Sequence, residues 1–206
     1  MIDVSHRIAA VQRTVGRRTL AAGEARVVTI SRCYPGPAED LWDACTNPER
    51  IPRWFLPITG ELALGGHYQL EGNAGGTVES CDPPHSFTAT WEYGGEVSWI
   101  EVRVTAEGER ARLQLEHIAH VDDERWAEFG PGAVGIGWDL GFKGLGDHLA
   151  SGADAEPEAT WATTPDGLRF MTESNEAWYA AAVADGADPA AARAAADRTI
   201  AAYTAG

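Results

Sequence analysis

The sequence predicts an α+β protein in which a curved antiparallel sheet of about six or seven strands surrounds a long helix, followed by an appended helical hairpin. Short β-branched segments joined by glycine-bearing two-residue links fill residues 58–119, which is typical of an antiparallel meander. Apolar side chains at helical spacing follow over residues 134–149, and alanine, glutamate and aspartate dominate thereafter. Together these patterns indicate a sheet, one long helix and a helical extension.

Composition and charge exclude several classes of partner. The 206 residues include 16 basic and 31 acidic side chains, a net charge of −15, so we expect neither nucleic acid nor an anionic membrane as a partner. No apolar run approaches the ~20 residues that cross a bilayer, and the N-terminus lacks the layout of a signal peptide. The three scattered cysteines favour reduced thiols, and therefore a cytoplasmic protein.

The first quarter of the chain is predicted to supply an arm, a strand and a short helix. Residues 1–24 form the N-terminal arm, and the β-branched segment 26–33 forms the strand. The Pro-Gly-Pro sequence after Tyr34 ends that strand, and residues 38–46 then place apolar side chains on one side of a helix. Residues 25–152 are expected to be one domain.

Two links in the meander predict a strand register. Gly94-Gly95 as a two-residue turn pairs Tyr93 with Glu96, and Glu107-Gly108 as a second turn pairs Val102 with Leu113. Residues opposite one another share a face of the sheet. The inward rows are then Phe87–Val102–Leu113, Ala89–Ile100–Leu115 and Trp91–Ser98–His117.

The Gly65-Gly66 link leaves one orientation open. With a strict two-residue turn, Glu61 shares the face of Tyr68, whereas a bulge would place Leu62 and Leu64 there instead. We expect Glu61 to face solvent.

The long helix is predicted from Pro131 to Leu149, with one face formed by Val134, Trp138, Phe142, Leu145 and Leu149. Its opposite face carries five glycines, each of which disfavours a helix by about 1 kcal/mol relative to alanine. Such a helix persists when another element holds it, and the curved sheet is the element expected to do so.

Residues 153–206 are predicted to form a loop and a helical hairpin. Thr164-Pro165 and Asp188-Pro189 are helix starts, and Gly186 ends the first helix. Leu168, Met171 and Trp178 form an apolar stripe that could cover the chain's own sheet, or that of a second copy in a homodimer.

Several ordered landmarks carry a resemblance to a known family. They are RCYPGPAEDLWDACTNPERIPRWF, GELALGGHYQLEGNAGGTVESCDPP, TATWEYGG, RLQLEHIA and the segment from Ala133 to Trp138. Over residues 25–152 the chain resembles the SRPBCC (START/Bet v-like) superfamily and its helix-grip fold. Within it, the chain is similar to the bacterial branch related to the C-terminal domain of the heat-shock protein 90 ATPase activator. The resemblance implies a deep, mostly apolar cavity between the sheet and the long helix.

His117 is the main polar candidate, because the register turns it inward beside Ser98 and Trp91. It could hydrogen-bond a ligand or move a proton near neutral pH, or it could be a core histidine satisfied by its neighbours. The aromatic side chains are either lining of the cavity or plain core. They are Trp54, Phe55, Tyr68, Trp91, Trp138 and Phe142.

Three functions are compatible with these residues. The leading hypothesis is non-catalytic binding of a small hydrophobic or aromatic molecule, and the second is a cyclase, dehydratase or hydrolase using His117 assisted by Glu61 or Tyr68. The third is a stress-related co-chaperone or interaction module acting through the acidic surface. We expect no metal, because His117 and His120 point to opposite faces of a strand, and no cofactor, because the Gly135-Ile-Gly137 sequence lies inside a helix.

Overall fold

The structure, a computed structural model, describes residues 3–154 and 158–205. An eight-stranded open antiparallel sheet has the order β1-β2-β8-β7-β6-β5-β4-β3, which confirms the predicted α+β helix-grip class. The strands are β1 Val11–Leu20, β2 Gly23–Pro35, β3 Ile58–Gly60, β4 His67–Leu70, β5 Gly75–Asp82, β6 Ser86–Tyr93, β7 Glu96–Glu107 and β8 Arg110–Ala119. The segment predicted to be an arm therefore contributes the whole of β1.

Seven α-helices accompany the sheet in the described part of the chain. They are α1 Val4–Ala9, α2 Ala38–Thr46, α3 Asp123–Phe129, α4 Gly132–Ser151, α5 Glu158–Trp161, α6 Pro165–Ala184 and α7 Pro189–Thr204. The predicted starts of α6 and α7 are confirmed, since Thr164 and Asp188 accept hydrogen bonds from the N–H groups of Gly167 and Ala191 at 3.1 and 2.9 Å. None of the described helices is both long and apolar enough to cross a membrane.

Helix α3 was not predicted from the sequence. Asp122 and its acidic neighbours have the composition of a solvated loop, yet the Asp122 side chain accepts the N–H of Arg125 at 2.7 Å and caps the helix. The cap and the acidic first turn stabilise a helix that has no fully buried side chain of its own.

The chain forms two compact units. The helical unit comprises Met1–Ile30, His120–Leu140 and Glu156–Gly206, and the sheet unit comprises Ser31–Ala119 and Gly141–Ala155. The boundary at Ile30 lies inside β2, the boundary at Leu140 lies inside α4, and the boundary at Ala119 follows the end of β8. Within the helical unit, α6 packs against α1, β1 and α7. Within the sheet unit, α2 packs on β7 and β8.

The register between β6 and β7 is the predicted one, with Tyr93 opposite Glu96 and Trp91 opposite Ser98. The register between β7 and β8 differs from the prediction by two residues, because Glu107 pairs with Arg110 and the turn is Gly108-Glu109. Gly108 has φ +65°, and a glycine with positive φ is favoured at the first turn position of a two-residue hairpin. A shift of two residues keeps every side chain on its predicted face.

The Gly65-Gly66 link is not a hairpin turn. Strand β3 ends at Gly60, and the backbones of Gly65 and Gly66 instead exchange hydrogen bonds with Val78 on β5, at 2.8 and 3.0 Å. This pairing holds the link against the sheet and leaves Glu61 exposed in the loop before it.

Helix α4 follows the prediction in position but not in its buried face. Phe142 and Leu145 are buried as expected, whereas Val134 is 38% exposed, and Trp138 and Leu149 are half-buried. Polar residues that the predicted stripe omits are buried instead, namely Asp139, Lys143 and His148. The predicted apolar stripe does not describe the buried surface of α4, because the face that carries the glycines also contacts other parts of the protein.

Two glycines show how α4 is held on that face. A Cβ at Gly135 would lie 2.3 Å from the Trp178 ring in the helical unit, so only glycine admits that indole. In the sheet unit, a Cβ at Gly141 would be 3.6 Å from the ring of Phe55, an ordinary contact. Gly135 therefore marks close packing in the helical unit, and Gly141 marks an ordinary contact in the sheet unit.

Candidate functional site

Three side chains on neighbouring strands form the polar centre of the sheet unit. His117 on β8 lies with its Nε2 atom 2.9 Å from Ser98 Oγ on β7, and the Ser98 hydroxyl donates to the carbonyl oxygen of Trp91 on β6 at 3.0 Å. The rings of Trp91 and His117 meet edge to face with centroids 6.2 Å apart. The predicted grouping of these three residues is therefore present, with His117 directly opposite Ile100 and diagonal to Ser98.

Burial determines the protonation of this histidine. His117 is 7% exposed, and desolvation lowers the pKa of its imidazole from 6.5 to about 4. The imidazole is therefore neutral at pH 7. Because the Ser98 hydroxyl hydrogen is directed to Trp91, the Ser98 oxygen accepts from a hydrogen on His117 Nε2, which assigns the tautomer. The site offers a neutral, oriented hydrogen-bonding group.

The two residues considered as catalytic assistants have other surroundings. Tyr68 is buried and its hydroxyl donates to the carbonyl oxygen of Thr90 at 2.7 Å. Burial, followed by the charge of Glu92, raises the pKa of the Tyr68 phenol well above its usual range. Glu61 is exposed. The sheet unit thus ties the Tyr68 phenol to a backbone carbonyl and leaves the Glu61 carboxylate in solvent.

The apolar corner after α2 lies against the C-terminal part of α4. Trp54 and Phe55 stack with centroids 5.5 Å apart, and Trp54 Nε1 donates to the carbonyl oxygen of Ala44 at 2.9 Å. Both rings lie beside Gly141. Phe142, the next residue, is buried with its ring centroid 6.4 Å from that of Tyr34. Trp138, the remaining predicted site residue, belongs to the helical unit and is half-buried.

A second polar group in the sheet unit was not predicted from the sequence. On β2, the Tyr34 hydroxyl donates to the carbonyl oxygen of Phe142 at 2.9 Å, and Arg32 Nη1 lies 3.4 Å from the same oxygen. The Arg32 guanidinium lies over the Tyr34 ring at 4.9 Å and next to Gly146. The available signal was the alternation of Arg32 and Tyr34 along the strand.

Two buried polar residues of α4 were also missed. Lys143 Nζ lies 3.3 Å from Asp147, one helical turn later, and His148 Nδ1 contacts the carbonyl oxygen of Ala153 at 3.0 Å. The i, i+4 spacing of Lys143 and Asp147 was visible in the sequence. Among the described residues, no group of three or more His, Cys, Asp or Glu side chains could hold a metal ion.

Comparison with known proteins identifies the family. The family model described as Activator of Hsp90 ATPase homolog 1-like protein matches residues 35–150, more than half of the chain. The chain belongs to this family. The family match confirms the predicted resemblance. Members of the SRPBCC/Activator of Hsp90 ATPase homolog 1-like family bind hydrophobic ligands.

Solved structures extend the likeness beyond the family match. The crystal structure of CalU16 from Micromonospora echinospora is 36% identical, with a TM-score of 0.68 over 84% of this chain and 98% of CalU16. The solution structure of CalU16 is likewise 36% identical, with a TM-score of 0.72 over 86% of this chain and 97% of CalU16. This coverage is larger than residues 35–150, so the likeness includes residues outside the family match.

More distant structures show the fold alone. DynU16, a protein of the dynemicin biosynthetic locus, is 17% identical with a TM-score of 0.58, over 64% of this chain and 49% of DynU16. The Hsp90 activator PFC0360w of Plasmodium falciparum is 20% identical with a TM-score of 0.51, over 63% of this chain and 99% of PFC0360w. No curated protein matches the chain.

Proposed function

We propose that the protein binds a small hydrophobic or aromatic molecule on the sheet unit, between the inner face of the sheet and the C-terminal part of α4, without converting it. The observation that carries this proposal is the neutral, buried His117 held by Ser98 next to the Trp91 ring. Membership of a family whose members bind hydrophobic ligands supports a ligand of this class.

The surroundings of His117 suit orientation of an apolar ligand. Ile100 and Leu115 are buried on the same face, and Trp91 is half-buried. Ligand pockets are predominantly apolar and use a few placed polar groups to orient their ligand. An uncharged imidazole with a defined tautomer can serve as such a group.

The same site has weak support as a catalytic centre. A histidine whose pKa is lowered to about 4 is almost entirely neutral at pH 7, so little imidazolium is present to donate a proton and the ring nitrogen is a weak base. Acid–base catalysis normally requires a second group with an opposed pKa within reach. Tyr68 is bonded to Thr90 and Glu61 is exposed, so neither supports that role.

Native mass spectrometry of the protein purified from its own host tests the proposal. We expect a co-purified small apolar molecule, and with that molecule the His117→Gln variant should bind about 2- to 150-fold more weakly, the range for one lost hydrogen bond. The matched control is His67→Gln, which removes an exposed imidazole from β4 and should leave binding unchanged.

Two results would overturn the proposal. One is a His117→Gln variant that folds and binds the molecule as tightly as the unaltered protein. The other is turnover of the molecule that falls ~100-fold in this variant while binding is unchanged, which would make His117 a general acid or base.

A further inference from the structure

We propose that the helical unit contains a second binding site, for a neutral aromatic molecule of about the size of phenol that carries one hydrogen-bond donor. The site is a cavity of about 180 Å³, open to solvent on one side and lined by α3, the start of α4, α6 and α7. All of its lining residues belong to the helical unit, so the inference is independent of the function proposed for the sheet unit.

The walls of this cavity are apolar. Aromatic rings of Trp126, Phe129, Trp178 and Tyr179 line it together with alanines of α6 and α7. Trp178 is the fully buried indole of the lining, and its Nε1 atom already donates a hydrogen bond to Asp139 at 2.9 Å. The rim includes the exposed Ala127 and Ala191, which provide a route of access from solvent.

One buried acceptor in the lining has no hydrogen-bond partner. Asn175 is 2% exposed, and its Nδ2 atom donates to the carbonyl oxygen of Ala196 at 3.0 Å. A carbonyl can only accept, so this contact determines which way round the amide lies. Its Oδ1 atom is buried and makes no hydrogen bond to any described residue.

The unpartnered oxygen lies close to the Gly132 backbone at the start of α4. A Cβ at Gly132, another residue of the lining, would lie 3.0 Å from Asn175 Oδ1. A buried acceptor without a partner is costly, and a donor on a bound molecule would remove that cost. The geometry therefore calls for a ligand with one donor on an otherwise apolar body.

Size and polarity select the class of ligand. An apolar cavity of about 150 Å³ holds a benzene ring, and the present cavity is slightly larger. A water molecule needs two to four polar partners, whereas the lining has one buried side-chain acceptor without a hydrogen-bond partner among the described residues. The lining contains no Lys, Arg, Asp or Glu, so it does not favour a charged ligand.

Phenol and toluene are probes of nearly the same shape that differ in the hydroxyl group. Each probe is titrated into the full chain, and binding is followed through the indole ¹H–¹⁵N signals of Trp126 and Trp178. We expect phenol to bind about ten-fold more tightly than toluene. In the Asn175→Leu variant this preference should disappear, because the acceptor is gone.

A matched pair of variants tests the location without altering Asn175. Ala192 lines the cavity and Ala194 on the same helix does not, so Ala192→Leu should weaken phenol binding at least about ten-fold while Ala194→Leu leaves it unchanged. Equal affinity of the unaltered protein for phenol and toluene would overturn the inference. So would equal effects of the two alanine variants.

Discussion

Asp139 in the helical unit and His117 in the sheet unit are both buried ionisable side chains, and the protein stabilises the two in opposite ways. In the helical unit, Asp139 is 1% exposed and receives Arg13 in two hydrogen bonds, from Nε at 2.9 Å and Nη2 at 2.7 Å. The Ser174 hydroxyl and Trp178 Nε1 donate to the same carboxylate at 2.6 and 2.9 Å. In the sheet unit, His117 has a hydroxyl partner and no charge.

The comparison separates a structural polar group from one suited to binding. A buried carboxylate is tolerated when a cation and several donors surround it, and every one of those donors then has a defined position. The buried imidazole of His117 is instead neutral, and a neutral polar group costs less to bury than a charged one. We therefore assign Asp139 to holding α4, α6 and β1 together, and ligand binding at His117 stays our proposal.

The largest effect is expected from removing the buried carboxylate. Asp139→Ala leaves the Arg13 guanidinium buried without its counter-charge, and should lower the free energy of unfolding by about 3–5 kcal/mol in urea denaturation. Adding Arg13→Met to this variant removes the stranded cation and should recover part of the loss. A single-variant loss below about 1 kcal/mol would show that Asp139 is not the structural centre of its unit.

The next effect is a dependence of stability on pH. Because the pKa of His117 is lowered from 6.5 to about 4, the unfolded chain takes up a proton below pH 6.5 that the folded chain does not. The contribution of neutral His117 to the free energy of unfolding is about 3 kcal/mol. It is fully present above pH 6.5 and is lost as the pH falls to about 4.

Urea denaturation of the unaltered protein and of His117→Gln at pH 7 and pH 4 measures the contribution of His117 to this pH dependence. The unaltered protein should lose about 3 kcal/mol more than the variant between these two pH values. His67→Gln, at an exposed position, controls for the removal of an imidazole. Identical pH dependence of the unaltered protein and His117→Gln would mean that the pKa of His117 is the same in the folded and unfolded chain, and would end the contrast with Asp139.

The smallest effect concerns the glycines that let α4 approach Trp178. Gly135→Ala would place a methyl group 2.3 Å from the Trp178 ring, which is fully buried and bonded to Asp139, so we expect a loss of about 1–3 kcal/mol. Gly137→Ala is the matched control on the same helix, since its Cβ would meet only the Tyr203 hydroxyl at 3.6 Å.

Gly137→Ala should stabilise the protein by up to about 1 kcal/mol through helix propensity. Thermal unfolding of the two variants measures the difference. Similar midpoints for both would show that the indole moves aside, and that the Asp139 network does not hold it in place.

Local chemistry made parts of the fold and of the candidate site predictable. The caps at Thr164 and Asp188, and the Gly94-Gly95 turn with φ of +61° and +83°, depend on neighbours within a few residues. The grouping of His117 with Ser98 and Trp91 followed from strand parity, which a two-residue error in register does not change. The ligand role of these residues stays a prediction.

What the sequence alone determined is therefore the α+β class, the positions of α2, α6 and α7, the family, and the inward face of the meander. Tertiary structure decided the rest: the pairing of Asp139 with Arg13, 126 positions earlier, the insertion of Trp178 at Gly135, and the cavity with the unpartnered Asn175 oxygen. Periodicity reports which side of an element is apolar and does not report which distant side chain meets it. Contacts over such separations arise only when packed elements exclude water between them.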